Sequence, residues 1–248
     1  MTDPSPPHFT TLAVSLRGGL GRLTLDQPDR LNPLGSVALQ ELVDAAAWFD
    51  ASPASVVVVT GAGRAFSAGF DRDELAAPSP QSRHTPELGA AMSAAIGSMG
   101  AVTLAAVQGP CVGGAFVLVM SCDLRLAADD AWFSLPEAEL GIPLAWSGVP
   151  LLVRSIGPAR TTELVLSCRR VAADEAAAWG LVNRVVPRHD LAAATEELVG
   201  TLLERRPDVI ATTKRQVREA AEALVPSDGR WAGTEHLQAA LRARSAEG

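Results

Sequence analysis

The chain has 248 residues, 48% hydrophobic and 20% charged, which places it among ordinary globular proteins and excludes a disordered chain. A formal charge of −7 argues against a general nucleic-acid binder, because neutralising phosphates takes a basic surface. No window reaches about 18 uninterrupted apolar residues, and the N-terminal MTDPSPPHFT has neither a basic nor an apolar targeting region. No membrane contact is expected, and the cytoplasm is the expected location. Cys111, Cys122 and Cys168 are odd in number and lack CxxC spacing, so they read as packed thiols of a reducing compartment rather than disulfides or zinc ligands.

Residues 1–9 form a Pro-rich leader. TLAVSL and GRLTLD alternate apolar and polar residues across Gly18 and Gly19, which predicts a hairpin. In SVALQELVDAAAWFD, Leu39, Leu42, Val43, Ala46 and Phe49 share one helical face behind Ser36, the expected N-cap. The β-branched run SVVVVTG predicts a strand buried on both faces, and TLAAVQG resembles it. AAPSPQSRHTP, with three prolines, reads as a loop leading into a helix over 87–99. GGAFVLVMSCD follows as a helix, then DLRLAA and AWFSL as short strands. From about residue 159 helical patterns dominate. In PDVIATTKRQVREAAEAL, Pro207 suits a first turn, and Ile210, Thr213, Val217, Ala221 and Leu224 make a stripe opposite Lys214, Arg215 and Arg218. The recurring strand, strand, helix order predicts an α/β core over 10–189, with 190–248 as a helical segment packed on that core or on another subunit.

Most motifs of known chemistry fail on spacing. VVVVTGAGRAF has Phe66 where a dinucleotide fingerprint needs its third glycine, and AFSAGF lacks the first glycine of GxSxG. The four histidines show no visible partner, and no histidines or acids stand at metal-ligand spacing, so no metal is expected. SAGFD (67–71) and GPCVGGAF (109–116) remain. Each follows a buried strand with small residues and glycine, a context that can point backbone N–H groups into a cleft. Two such donors on one oxygen make an oxyanion hole, and a helix starting near Gly114 adds the positive end of its dipole. Read from the residues alone, both stretches are equally well tight strand-to-helix turns.

Taken in order, LDQPDRLNPL, VVVVTGAGRAFSAGFDRDEL, AVQGPCVGGAFVLVMSCDLRLAADDAWFSLPEAELGI and AAAWGLVNRVV resemble the crotonase superfamily of enoyl-CoA hydratases and isomerases. The resemblance implies a crotonase-like spiral of strand-strand-helix repeats binding an acyl-CoA thioester, with no metal, no redox cofactor and coenzyme A only as part of the substrate. It implies a homotrimer or a dimer of trimers. It places oxyanion donors on Phe70 and Gly114, and coenzyme A contacts on Arg30, Ala68, Asp71 and Arg72.

Departures from the pattern narrow the chemistry. Hydratases of this family carry two glutamates, one in the helix after the glycine pair and one in the PE segment. Here Val117 stands at the first position and Glu137 at the second. A lone carboxylate suits proton transfer from C2 to C4 of a 3-enoyl thioester better than addition of water. LPEAELGIPLAW is similar to one-glutamate Δ3,Δ2-enoyl-CoA isomerases, whereas dienoyl-CoA isomerases would carry an aspartate near Leu144 and Ala145. Val117, Leu140 and Trp146, with Leu144, are the expected acyl-pocket residues. A hydratase or another acyl-CoA lyase or hydrolase, and a non-catalytic acyl-CoA binder, are the rival readings.

Overall fold

The computed structural model describes residues 5–76, 84–227 and 233–247. The hairpin forms as the alternation predicts: β1 (Leu12–Arg17) and β2 (Leu20–Leu25) pair antiparallel, Arg17 opposite Leu20, with Gly18 and Gly19 in the turn. Helix α1 (Ser36–Asp50) follows and buries Leu39, Leu42, Ala46 and Phe49. Ser36 is not its cap. Ser36 is the first helical residue, and both its N–H and its Oγ donate to the Glu74 carboxylate at 3.0 Å. An anion from another element thus sits on the positive end of α1.

β3 (Val56–Gly61), β4 (Val102–Val107), β5 (Pro110–Val112), β6 (Leu124–Ala128), β7 (Trp132–Ser134), β8 (Val171–Ala172) and β9 (Arg184–Val186) complete two sheets. The larger runs β1-β2-β3-β4-β6-β9 and is parallel from β2 onward; the smaller runs β5-β7-β8. The continuous valine run follows from burial on both faces. Val57 and Val59 point into the main core with the α1 leucines, while Val56 and Val58 point into a second core with Leu191, Ala194 and Val199 of α7 (Leu191–Leu203). Each such side chain contributes about 2 kcal/mol by leaving water.

Two turns of the spiral each send one strand to the large sheet and a short one to the small sheet before a helix. β4, β5 and α4 (Gly114–Ser121) make one turn; β6, β7 and the kinked α5 (Gly148–Ser167) make the next. All eight residues of α4 are buried, so its lack of a polar face matches its position in the main core. Short α2 (Arg72–Ala76) precedes residues 77–83, so most of the Pro-rich stretch lies outside the described residues; α3 (Thr85–Ser98) begins two residues before the expected start. The three cysteines are free and buried. Among the described residues no helix is long and apolar enough to cross a membrane.

The C-terminal helices depart from the pattern reading. After α6 (Ala173–Trp179) and α7 comes α8 (Pro207–Leu224), where Val217 and Leu224 of the expected buried stripe are 64% and 83% exposed. Lys214, assigned to the polar face, is buried, donating to the Ala101 carbonyl at 2.8 Å and pairing with Asp123 at 2.8 Å. Helical periodicity shows which residues share a face, not which face meets the core, and here a buried ion pair sets the rotation. Lys214→Ala is expected to cost about 2 kcal/mol, because it removes the cation from a partly buried carboxylate that retains its Thr103 N–H and hydroxyl donors. Urea unfolding measures this, and a loss under about 0.5 kcal/mol would mean the pair is incidental. α9 (Thr234–Glu247) turns back onto the chain and places Leu237 in the main core.

Candidate active site

The small sheet lines up the two glycine-bearing stretches. Ser67 and Cys111 form a parallel bridge in which the Ser67 N–H donates to the Pro110 carbonyl and the Val112 N–H to the Ser67 carbonyl, both at 3.1 Å. Phe70 and Gly114 each follow this bridge by three residues on their own stretch. Gly69 lies so close to the Val112 carbonyl that any side chain there would collide with it. Phe70 also bridges Leu34, but through the carbonyl of Gly69 and the N–H of Asp71. Gly114, as first residue of α4, has no carbonyl one turn back. Among the described residues neither the Phe70 nor the Gly114 N–H meets an acceptor.

Two residues that sequence reasoning passed over hold this loop. Asn32 is 2% exposed and sits at φ 54, a left-handed conformation that asparagine tolerates better than most residues. Its Nδ2 donates to the carbonyls of Ala62, Ala65 and Phe66 at 2.9 to 3.1 Å, and its Oδ1 accepts the Gln27 N–H at 2.9 Å. Ser67 Oγ donates to the Asn32 carbonyl at 2.6 Å and accepts the Gly69 N–H at 3.1 Å. The asparagine just after a Pro-Asp turn was the available signal.

The glycine pair 113–114 has two separate causes. Gly113 adopts φ 57, ψ −124, a region that only glycine occupies readily, and a Cβ on it would lie 2.9 Å from Glu137 Oε1. Its N–H donates to the Ser134 carbonyl at 2.8 Å, which brings the end of β7 alongside the start of α4. Pro136 and Glu137 continue from there into a turn in which the Glu137 carbonyl accepts the N–H groups of Leu140 and Ile142, both at 3.0 Å. Gly114, by contrast, makes room for Trp146, whose six-membered ring would collide with any side chain at that position.

Glu137 points inward while Glu139 is exposed. Glu137 Oε2 has no solvent contact and no hydrogen-bond partner among the described residues. Burial pushes the carboxyl from its usual 4.5 up to about 7, only partly offset by a backbone hydrogen bond. Between those two pH values the fold retains a proton that the unfolded chain has released, so stability falls as pH rises through this window. Glu137→Gln stays neutral throughout. It is therefore expected to exceed the parent in stability above neutral pH, by up to about 3 kcal/mol, and to have no advantage on the acid side of pH 4.5. Urea titrations at both ends of the range check this, and equal differences at both would contradict it.

The residues expected to line the acyl pocket are apolar and closely packed. Val117, 2% exposed, reaches 2.9 Å from where a Gly148 Cβ would stand, with Leu144 at 3.0 Å on the same spot; Leu140 is half-buried. Trp146 and Ser147 are consecutive left-handed residues at φ 58 and 63, each strained by about 1 kcal/mol. Ser147 Oγ donates to the Ser227 carbonyl at 2.7 Å, tying the strained corner to the segment after α8. The indole also packs on Gly89 of α3 and meets the Phe70 ring edge-on, centroids 6.3 Å apart. Gly89, in the interior of a helix, was a missed signal of close approach.

The residues expected to touch coenzyme A lie on the outer side of the same loop. Arg30 Nη2 is 2.6 Å from Asp73 and 3.2 Å from Asp71. Asp71 is 8% exposed and accepts the Asp73 N–H at 3.0 Å, so it supports Arg30 and presents little surface of its own. Ala68 and Arg72 are exposed, and the Ala68 N–H is taken by the Leu31 carbonyl at 2.8 Å.

Comparison with known proteins gives the family. Residues 16–241 match the family model described as enoyl-CoA hydratase/isomerase. The chain is 34% identical over 218 residues to a probable enoyl-CoA hydratase of Mycobacterium bovis, covering 86% of this chain and 83% of that one. It is 35% identical over 215 residues to the carnitinyl-CoA dehydratase of Escherichia coli, covering 86% and 82%. Among solved structures, an enoyl-CoA hydratase subunit from Geobacillus kaustophilus superposes with a TM-score of 0.80 at 33% identity, covering 96% of this chain and 91% of that one. By sequence match and crotonase fold together, the chain belongs to the enoyl-CoA hydratase/isomerase family.

Proposed function

We propose that this protein shifts the double bond of an enoyl-CoA thioester, with Glu137 as its single proton carrier. The observation that carries the reading is the site's asymmetry: one carboxyl, buried beside the glycine pair, and Val117 packed against Leu144 and Gly148 where a second acid would hold water. The thioester oxygen accepts from the Phe70 and Gly114 N–H groups, and the α4 dipole adds field. Glu137 as carboxylate removes a proton from C2 of a 3-enoyl thioester. The electron pair moves onto the thioester oxygen as a dienolate, and such donors stabilise the developing charge by about 3 to 4 kcal/mol. Glu137 returns the proton to C4, leaving the conjugated 2-enoyl thioester. The reaction is redox-neutral and needs no cofactor beyond the coenzyme A of its substrate. Arg30 and Ala68, with Asp71 and Arg72, form the coenzyme A side; Leu140 and Trp146 form the acyl side.

The names of the similar proteins favour a second reading, addition or removal of water. A thioester panel separates the two. Conversion of a 3-enoyl-CoA to its conjugated isomer, with hydration of crotonyl-CoA at least about a hundredfold slower, supports the proposal. Comparable hydration would reject the argument from Val117, and tight binding with no consumption would make the protein an acyl-CoA binder. Trimers or dimers of trimers are proposed on family grounds, and the exposed Val209, Val217 and Leu224 of α8 are apolar surface consistent with subunit contact.

A further inference from the structure

We propose that Trp146 closes the acyl end of the site directly beyond Gly114, so that the enzyme takes thioesters of short acyl groups, about crotonyl in size, and discriminates against long ones. This rests on the acyl-CoA reading above and adds its substrate class. The indole is in contact with the backbone of Gly114, the residue whose N–H is assigned to the thioester oxygen, so the ring begins within a few bonds' reach of the thioester carbon. Its five-membered ring lies on Gly89, and the ring system therefore spans the space between α3 and α4. The Phe70 ring meets it edge-on from the other donor residue. Val117 and Leu144 both crowd Gly148 at the start of α5.

The plug is also held in place. Trp146 is 5% exposed, and its backbone and that of Ser147 are left-handed, with the Ser147 hydroxyl bonded to the Ser227 carbonyl. Swinging the indole aside would mean rebuilding this corner. A buried core tryptophan normally places its N–H on an acceptor, yet Nε1 has none among the described residues. An orphaned donor on Trp146 and strained backbones at Trp146 and Ser147 mark a position kept for the site more than for packing.

Calorimetry on the intact protein with butyryl-CoA and octanoyl-CoA tests this. Added methylenes ordinarily strengthen binding to an apolar pocket, so a reversal is diagnostic. Butyryl-CoA is expected to bind at least about tenfold more tightly than octanoyl-CoA, and Trp146→Leu to remove or invert that preference. The wild-type comparison stands whether or not the variant folds. Octanoyl-CoA binding as tightly as butyryl-CoA would overturn the inference and leave the acyl-CoA reading intact. Failure of both thioesters to bind folded protein would overturn the acyl-CoA reading, and the inference with it.

Discussion

Glu137→Gln is expected to slow isomerisation of a 3-enoyl-CoA by about a thousandfold while butyryl-CoA binding stays within about threefold of the parent. Glutamine is nearly isosteric and keeps the turn from Pro136 to Ile142, whose bonds use the residue 137 carbonyl and not its side chain. Only the ability to take and return a proton is removed. The loss should therefore appear in kcat, with little change in affinity for a thioester that does not react. Glu139, two residues further on, is exposed. A variant retaining more than about a tenth of parental turnover would mean that the proton travels by another route.

The second large effect is expected at Gly114. A methyl group there collides with the six-membered ring of Trp146. Relieving that collision has to move the indole, the start of α4, or both, and either displaces an N–H assigned to the oxyanion. Gly114→Ala is expected to lower turnover by about a hundredfold and stability by about 1 to 3 kcal/mol. Combining it with Trp146→Leu should recover most of the stability, since the smaller side chain vacates the contested volume, and thermal unfolding of the four-member cycle measures the coupling. Additive losses would mean that the glycine is required for some other reason than the tryptophan.

Much of the fold could be read from periodicity because its causes are local. The VVVV run has to be buried on both faces, and it is; the GGAFVLVMS helix has no polar face and lies in the core. The misreadings came from contacts between distant segments. Nothing near Ser36 in sequence announces that Glu74 will cover the start of α1, and nothing in α8 announces that Lys214 turns inward to Asp123. At the candidate site, the motif order pointed to Phe70, Gly114 and Glu137. The reasons for the glycine pair were not legible: Gly113 yields to a carboxylate 24 residues later, and Gly114 to an indole in a loop beyond it. Gly89 and Asn32 were visible as oddities of local sequence, but their partners, Trp146 and the 62–67 loop, exist only once the spiral has closed.

The central claim is that one carboxyl, raised by burial, carries the proton. The pH dependence of kcat/KM for a 3-enoyl-CoA tests it most directly, because this ratio reports the ionisation of the free enzyme. Glu137 must be deprotonated to act, so the rate should climb about tenfold per pH unit on the acid side and level off above a single midpoint near 7. A midpoint near the ordinary carboxyl value of 4.5, or a profile with no ionisation between there and neutrality, would contradict the account.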